Sequence, residues 1–173
     1  MFTLIDVLQR EHATMRELLS RVQDQIDSKG ATDYDLLREV MQYCEHYPGA
    51  YHHPKEDLIY NLLLEEAPDK AAALEDLTAE HMIMASAASD TARVIELAAE
   101  GDDAAKESMP QKIASYLRFY RMHMSREERE FFPLALEVLS PEQWLMLESQ
   151  VVDPTDPLYG EKSAWRLQEM MEQ

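Results

Sequence analysis

The chain has 173 residues, with 16 Lys and Arg against 34 Asp and Glu and a formal net charge of -18. That length suits one ordinary domain, and the acidic balance excludes a phosphate-binding surface and adsorption to anionic membranes, so neither nucleic acid nor membrane is an expected partner. Apolar residues make up 46%, too many for a disordered acidic tail, and only 4 glycines are too few for the tight hairpins of an all-β fold.

The single cysteine, Cys44, cannot form an internal disulfide and suggests a reducing compartment. No basic stretch followed by an apolar one opens the chain, and no run nears the length of a membrane span. A soluble, cytoplasmic protein is expected.

Helical periodicity then dominates in chain order. Ile5, Leu8, His12, Met15, Leu19, Val22 and Ile26 alternate at steps of three and four, the seam of a bundle helix, with Thr3 as its cap and Gly30 beyond its end. A second helix spans about 33–66, with a kink or break expected around Pro48 and Gly49, because Pro48 lacks a backbone donor and clashes with the preceding turn. Pro68 opens a third, with Leu74, Leu77, His81, Met84, Ala88 and Ile95 on one stripe, stopping near Gly101. The fourth starts between Asp103 and Gln111 and runs to about Leu139, with Ile113, Tyr116, Phe119, His123, Phe131 and Leu134 inward and a bend before Pro133. Ser140, Pro141, Glu142 and Gln143 read as a capping box opening a short fifth helix. Residues 153–157 read as a turn, and 161–172 as a last amphipathic segment that can pack Leu167 and Met171 on the bundle or serve as a homodimer contact.

Long helices with short connections make antiparallel neighbours. The expected fold class is therefore all-α, an up-down-up-down four-helix bundle with one or two short additional C-terminal helices. The bundle is assigned to residues 1–139, and residues 140–173 to a helical extension packed on it.

One histidine falls on the apolar stripe of each long helix: His12, His52, His81 and His123. Counted from a common end of an antiparallel bundle, their heights agree to roughly 6 Å at 1.5 Å per residue, so the four converge on one layer. Glu56 and Glu127 follow His52 and His123 by four residues, one turn on along the same face. Two facing buried carboxylates are costly, and cations resolve that cost. Four imidazoles and two bridging carboxylates suit a pair of first-row transition metals, with a solvent-derived oxo or hydroxo bridge and an open position for a small molecule. Magnesium, calcium and structural zinc are poor fits.

Asp57 and Glu128 are the adjacent alternatives to Glu56 and Glu127; the i+4 residues are preferred because a further residue swings about 100° round the helix. The neighbours of His53 along its face, Gln42, His46, Asp57 and Tyr60, are more polar, so His53 is expected to point outward. His46 reads as a surface residue, Cys44, Tyr116 and Tyr120 as core, and Met82, Met84, Met122 and Met124 as core or boundary filler. No histidine has the Glu-xx-His spacing of the ferritin and rubrerythrin bundles.

His12, the run His52-His53-Pro54-Lys55-Glu56-Asp57, Glu80-His81, and His123-Met124-Ser125-Arg126-Glu127-Glu128 leading to Phe131-Phe132-Pro133 resemble the hemerythrin-like, HHE cation-binding family over about residues 3–137. The resemblance implies a non-haem di-iron centre, open to manganese or zinc substitution, with His12, His52, His81 and His123 as terminal ligands and Glu56 and Glu127 as bridges. It departs from the oxygen carriers, which have a further histidine where this chain has Ala85 and an Asp at i+5 after the last histidine. The set is closer to the branch containing iron-sulfur repair proteins, although their cysteine-bearing N-terminal domain is not expected before a first helix that opens near Met1. The expected function is binding of O2, NO or peroxide for sensing, scavenging or iron handling in stress. The alternatives are a di-iron enzyme of peroxidase or NO reductase type and a metal-free helical interaction module.

Overall fold

The computed structural model describes residues 4–28 and 30–151. Thr3, the turn at 153–157 and the segment at 161–172 lie outside them. Four long helical arms form an all-α, antiparallel bundle, and no strand occurs among the described residues. The first arm is α1 (Leu4–Asp27). The second joins α2 (Tyr34–Tyr47) to α3 (His53–Glu66) through a π-helical turn at Pro48–His52. A short α4 (Pro68–Ala71) and a 3-10 turn (Ala72–Leu74) lead into α5 (Glu75–Ala99), the third arm. The fourth joins α6 (Asp103–Arg126) to α7 (Phe132–Val138) through a second π-helical turn at Glu127–Phe131. Then α8 (Pro141–Gln150) turns back to touch α1. Within the bundle, α2 and α6 each pack against both α1 and α5, closing a ring of four.

Local chemistry sets the ends of these arms. Asp33 Oδ1 accepts the Leu36 amide at 3.0 Å and Asp102 Oδ1 the Ala105 amide at 2.8 Å, each satisfying an orphan donor of a first turn. At the other end of α5, Gly101 takes a φ of +103°, so that Asp102 N–H reaches the Leu97 carbonyl at 3.0 Å. The capping box at Ser140 and Gln143 is formed in both directions.

The two π turns replace the break expected near Pro48 and the bend expected before Pro133. Each ends two residues before a proline: His52 before Pro54 in one case and Phe131 before Pro133 in the other. A proline ring presses on the carbonyl four residues back. The helix absorbs this by widening the turn, and His53 N–H and Phe132 N–H bond to the carbonyls of Pro48 and Glu127, five residues back. The helix continues, but every later side chain is advanced by about 100°, the rotation of one inserted residue.

The core is divided. One apolar cluster, with Met15, Leu19, Leu37, Met41, Met84, Ile113 and Leu117, fills one half of the bundle. A second, with Leu4, Leu8, Ile59, Leu63, Leu77, Phe131, Phe132 and Leu147 of α8, fills the other. Each buried aliphatic or aromatic side chain contributes about 1.5–3 kcal/mol relative to exposure. The predicted histidines sit at the seam: His12 lies between Leu8 and Met15, and His81 between Leu77 and Met84. Met84 and Met124 are core, whereas Met82 and Met122 are exposed by 81% and 64%, a correction to their reading as filler. No helix among the described residues is long and apolar enough to cross a membrane.

Candidate metal centre

The structure brings all six predicted ligands into one layer, supplied by all four arms. His12 comes from α1, His52 from the first π turn, Glu56 from α3, His81 from α5, His123 from α6 and Glu127 from the second π turn. His12 Nε2 lies 3.0 Å from His52 Nε2 and 3.3 Å from Glu127 Oε2. Glu56 Oε1 is 3.1 Å from His52 Nε2, and Glu56 Oε2 is 3.6 Å from His81 Nε2. Glu127 Oε1 is 2.9 Å from His123 Nε2 and 3.5 Å from His81 Nε2. Each carboxylate thus directs one oxygen toward the His12–His52 side and the other toward His81 and His123.

The alternatives lie elsewhere. Asp57 is half-exposed, with Oδ1 3.8 Å from His81 Nδ1, and Glu128 sits behind His12, its Oε1 3.0 Å from Nδ1. His46 is exposed at the end of α2, and Cys44, Tyr116 and Tyr120 are core. Burial pushes the Cys44 thiol up to about 12, so it offers no thiolate, and its Sγ lies 3.9 Å from Met15 Sδ.

His53 corrects the sequence reading. It is only 7% exposed, and its ring lies flat on His81, with centroids 3.7 Å apart and planes inclined by 1°. The outward placement was counted from Gln42 and His46, across a turn that carries one residue more than an α-helical one. That extra residue turns His53 inward.

The rings are held from behind by a belt that sequence reasoning also missed. Nδ1–H of His12 donates to Glu128 at 3.0 Å, that of His52 to Glu11 at 2.8 Å, and that of His123 to Glu80 at 2.7 Å. Glu11 in turn receives Lys55, Glu128 receives Arg16, and Glu80 lies 3.6 Å from Arg126. A usable signal existed: Glu11 and Glu80 each directly precede a seam histidine, and one residue carries a side chain about 100° round, from the core to the flank of the next helix. A carboxylate behind a histidine fixes the tautomer and aims the other nitrogen forward.

Electrostatics follow from this crowding. For His52, burial opposes the charged ring but is outweighed by the Glu56 charge and the bond to Glu11, and its pKa is pushed up to about 10. His123 is raised too, burial being overcome by Glu127 and Glu80 beside it. Burial also works against the Glu127 carboxylate, yet His12, His123 and His81 hold it well below the usual carboxylate range. His53 is driven the other way, by burial and by the neighbouring His81 and His52 rings, and stays neutral.

The donor set fits metal cations. With Nδ1 of both His12 and His52 committed to carboxylates, two Nε2 atoms meet at 3.0 Å, a repulsive contact unless a cation or proton lies with them. Both Glu56 oxygens, Glu127 Oε2, and Nε2 of His81 and His123 are buried without a hydrogen-bond partner among the described residues. Buried polar atoms rarely go unsatisfied in native proteins. Their potential donor atoms form two groups, His12–His52–Glu56–Glu127 and His53–His81–His123, the atoms within each lying within 4.8 Å of one another. Imidazole nitrogen and carboxylate oxygen without thiolate suit iron, manganese or zinc.

An antiparallel bundle with histidines and carboxylates clustered at its centre defines a class of cation-binding helical proteins. The model of the hemerythrin HHE cation binding domain matches residues 3–135, and the chain belongs to that family. It is similar to uncharacterized proteins Rv1995 of Mycobacterium tuberculosis and Mb2018 of Mycobacterium bovis, each 24% identical over 157 residues covering 89% of this chain. The chain spans 62% of the length of these relatives. No solved structure matches it.

Proposed function

We propose that the protein holds two non-haem iron ions in this layer and binds a small diatomic or peroxide ligand, O2, NO or H2O2. Its role is sensing, scavenging or iron handling under oxidative or nitrosative stress in the cytoplasm. The observation that carries this reading is the facing pair of His12 and His52 Nε2 atoms beside buried, unpartnered carboxylate and imidazole atoms. His12 and His52 would hold one ion and His81 and His123 the other, with Glu56 and Glu127 spanning both and an oxo or hydroxo group between them. Manganese or zinc could use the same donors.

When bound, a dinuclear iron centre supplies one-electron chemistry and an open coordination position. The chain's own residues do the rest. Glu128, Glu11 and Glu80 keep the protons of His12, His52 and His123 on Nδ1, so each Nε2 presents a lone pair to the layer. Glu56 and Glu127 supply two negative charges against the cations. The apolar clusters on either side limit water access to the layer, which slows loss of a bound ligand.

Anaerobic iron loading followed by elemental analysis and an optical spectrum tests the proposal. The expected result is two irons per chain, with near-ultraviolet oxo-to-iron bands after oxidation. Failure to take up stoichiometric metal would overturn it and favour a metal-free interaction module. Steady-state consumption of peroxide or nitric oxide with a reductant would identify an enzyme instead of a binder.

A further inference from the structure

The tyrosines are unevenly placed. Tyr43, Tyr47, Tyr51 and Tyr120, four of the chain's eight, wall a small cavity beside His12 and His52. Tyr43, Tyr47 and Tyr51 also wall an open groove of about 620 Å³ on the outer side of the same arm, so they stand between the layer and solvent. Steps of four along α2 and the π turn keep the three rings on one flank. Their centroids lie 5.2 Å apart for Tyr43 and Tyr47 and 5.8 Å apart for Tyr47 and Tyr51, in contact for aromatic rings. Tyr43 is buried, and Tyr47 and Tyr51 are half-buried. Beside His81 the cavity wall holds Tyr60, whose ring meets Phe131, a side chain with no phenol to oxidise.

Sulfur makes this placement consequential. Met15 lines the inner cavity, and its Sδ lies 3.9 Å from Cys44 Sγ, both side chains being buried. Peroxide converts a thioether to a polar sulfoxide, which disrupts a packed core. An oxidising equivalent left in the layer thus meets core sulfur on one path and a stack of phenols on the other.

We infer that Tyr43, Tyr47 and Tyr51 form a one-electron relay that carries oxidising equivalents from the layer to a dissolved reductant in the groove. This rests on the proposed function, with a hydroperoxide as the oxidant. One H2O2 accepts two electrons and two protons, its O–O bond breaks, and two waters leave. Two phenols each give up one electron and one proton and become phenoxyl radicals. A phenoxyl radical then takes an electron from the next ring outward, with a proton exchanged at each oxygen. In the groove a hydrogen-atom donor such as ascorbate gives one electron and one proton. The phenol is restored and an ascorbyl radical departs.

The test treats the full iron-loaded chain with H2O2. Freeze-quench electron paramagnetic resonance follows the radical, and peptide mass spectrometry follows Met15. The parent is expected to show a tyrosine radical, narrowed by ring-deuterated tyrosine, that ascorbate removes. Tyr47→Phe with Tyr51→Phe keeps both rings and deletes the half-buried phenols. Radical left on the inner tyrosines should then decay in ascorbate at least about 10-fold more slowly, while Met15 sulfoxide rises at least about 5-fold. Tyr34→Phe, at the start of α2 and outside the stack, should match the parent. If the double variant fails to fold, each single replacement repeats the test, with a smaller slowing expected in each. Equal decay and equal sulfoxide in parent and variants, or no tyrosine radical in a parent that holds two irons, would overturn the relay and leave the di-iron reading intact. A parent that takes up no iron overturns that reading, and the relay with it.

Discussion

The two apolar clusters and the polar layer between them are built on opposite rules. In the clusters, Leu19, Leu37, Ile113 and their neighbours are fully buried and gain from every contact, so the folded chain is their stable partner. In the layer, Glu56 and Glu127 are equally buried, yet both Glu56 oxygens, Glu127 Oε2, and Nε2 of His81 and His123 lack hydrogen-bond partners within the described chain. The clusters stabilise the fold. The layer costs stability until cations enter, and the clusters offset that cost beforehand.

Opposite substitutions should expose this difference. The double substitution His52→Phe with Glu56→Leu removes both members of a buried ion pair and keeps their volume. The two-iron state should be lost, while the iron-free protein melts at or above the parent temperature, because replacing buried charge by apolar volume is often neutral or stabilising by about 1–4 kcal/mol. Iron analysis and thermal unfolding with a chelator check both halves, and an iron-free variant much less stable than the parent would break the comparison. Leu37→Ala should do the reverse. It opens a cavity in the far cluster and costs about 2–5 kcal/mol. At about 2–4 °C per kcal/mol for a chain of this size, its melting point should fall by about 4–20 °C, with iron still at two per chain.

Much of this contrast was legible in the sequence. Most seam residues of each arm are buried where three-four periodicity placed them, with Ile26, Phe119 and Leu134 partly so, and equal helix rise brought His12, His52, His81 and His123 to one height. Glu56 and Glu127 face inward as the i+4 rule requires. What periodicity could not carry was the phase across a π turn. His53 was counted from Gln42 and His46 with α-helical rotation, although Pro54 one residue later was the available hint that the preceding turn widens. The carboxylate belt was hidden for a different reason. Glu11, Glu80 and Glu128 look like solvated helix face along their own helices, and only the placement of the next arm shows that each meets a ring of another helix.

That belt offers a finer division within the polar layer. Glu11→Gln keeps the size of the side chain that holds His52 and Lys55 but removes its charge. Iron affinity should fall about 10–100-fold, with stoichiometry still reaching two at high iron, since such supporting residues tune ligands without replacing them. Loss of an equivalent at saturating iron would place Glu11 among the ligands.

The smallest expected effect is on pH, and its sign separates the two forms of the layer. Without metal, protons occupy the place of cations. His52, raised to about 10, contributes stability that is fully present below the ordinary histidine value of about 6.5 and is lost as pH rises through 10. Glu127, held low, contributes stability present above its ordinary value and lost as pH falls through its depressed one. The iron-free protein should therefore be most stable from mildly acidic to neutral pH and melt earlier toward pH 10. Metal requires the same imidazoles to be neutral, so loading releases protons and strengthens as pH rises. Melting curves of chelated and loaded protein at pH 7 and 9 should diverge, the chelated form losing stability and the loaded form holding it. Parallel curves would mean that the layer does not exchange protons for cations, because only a shared set of nitrogen atoms makes the two dependences opposite.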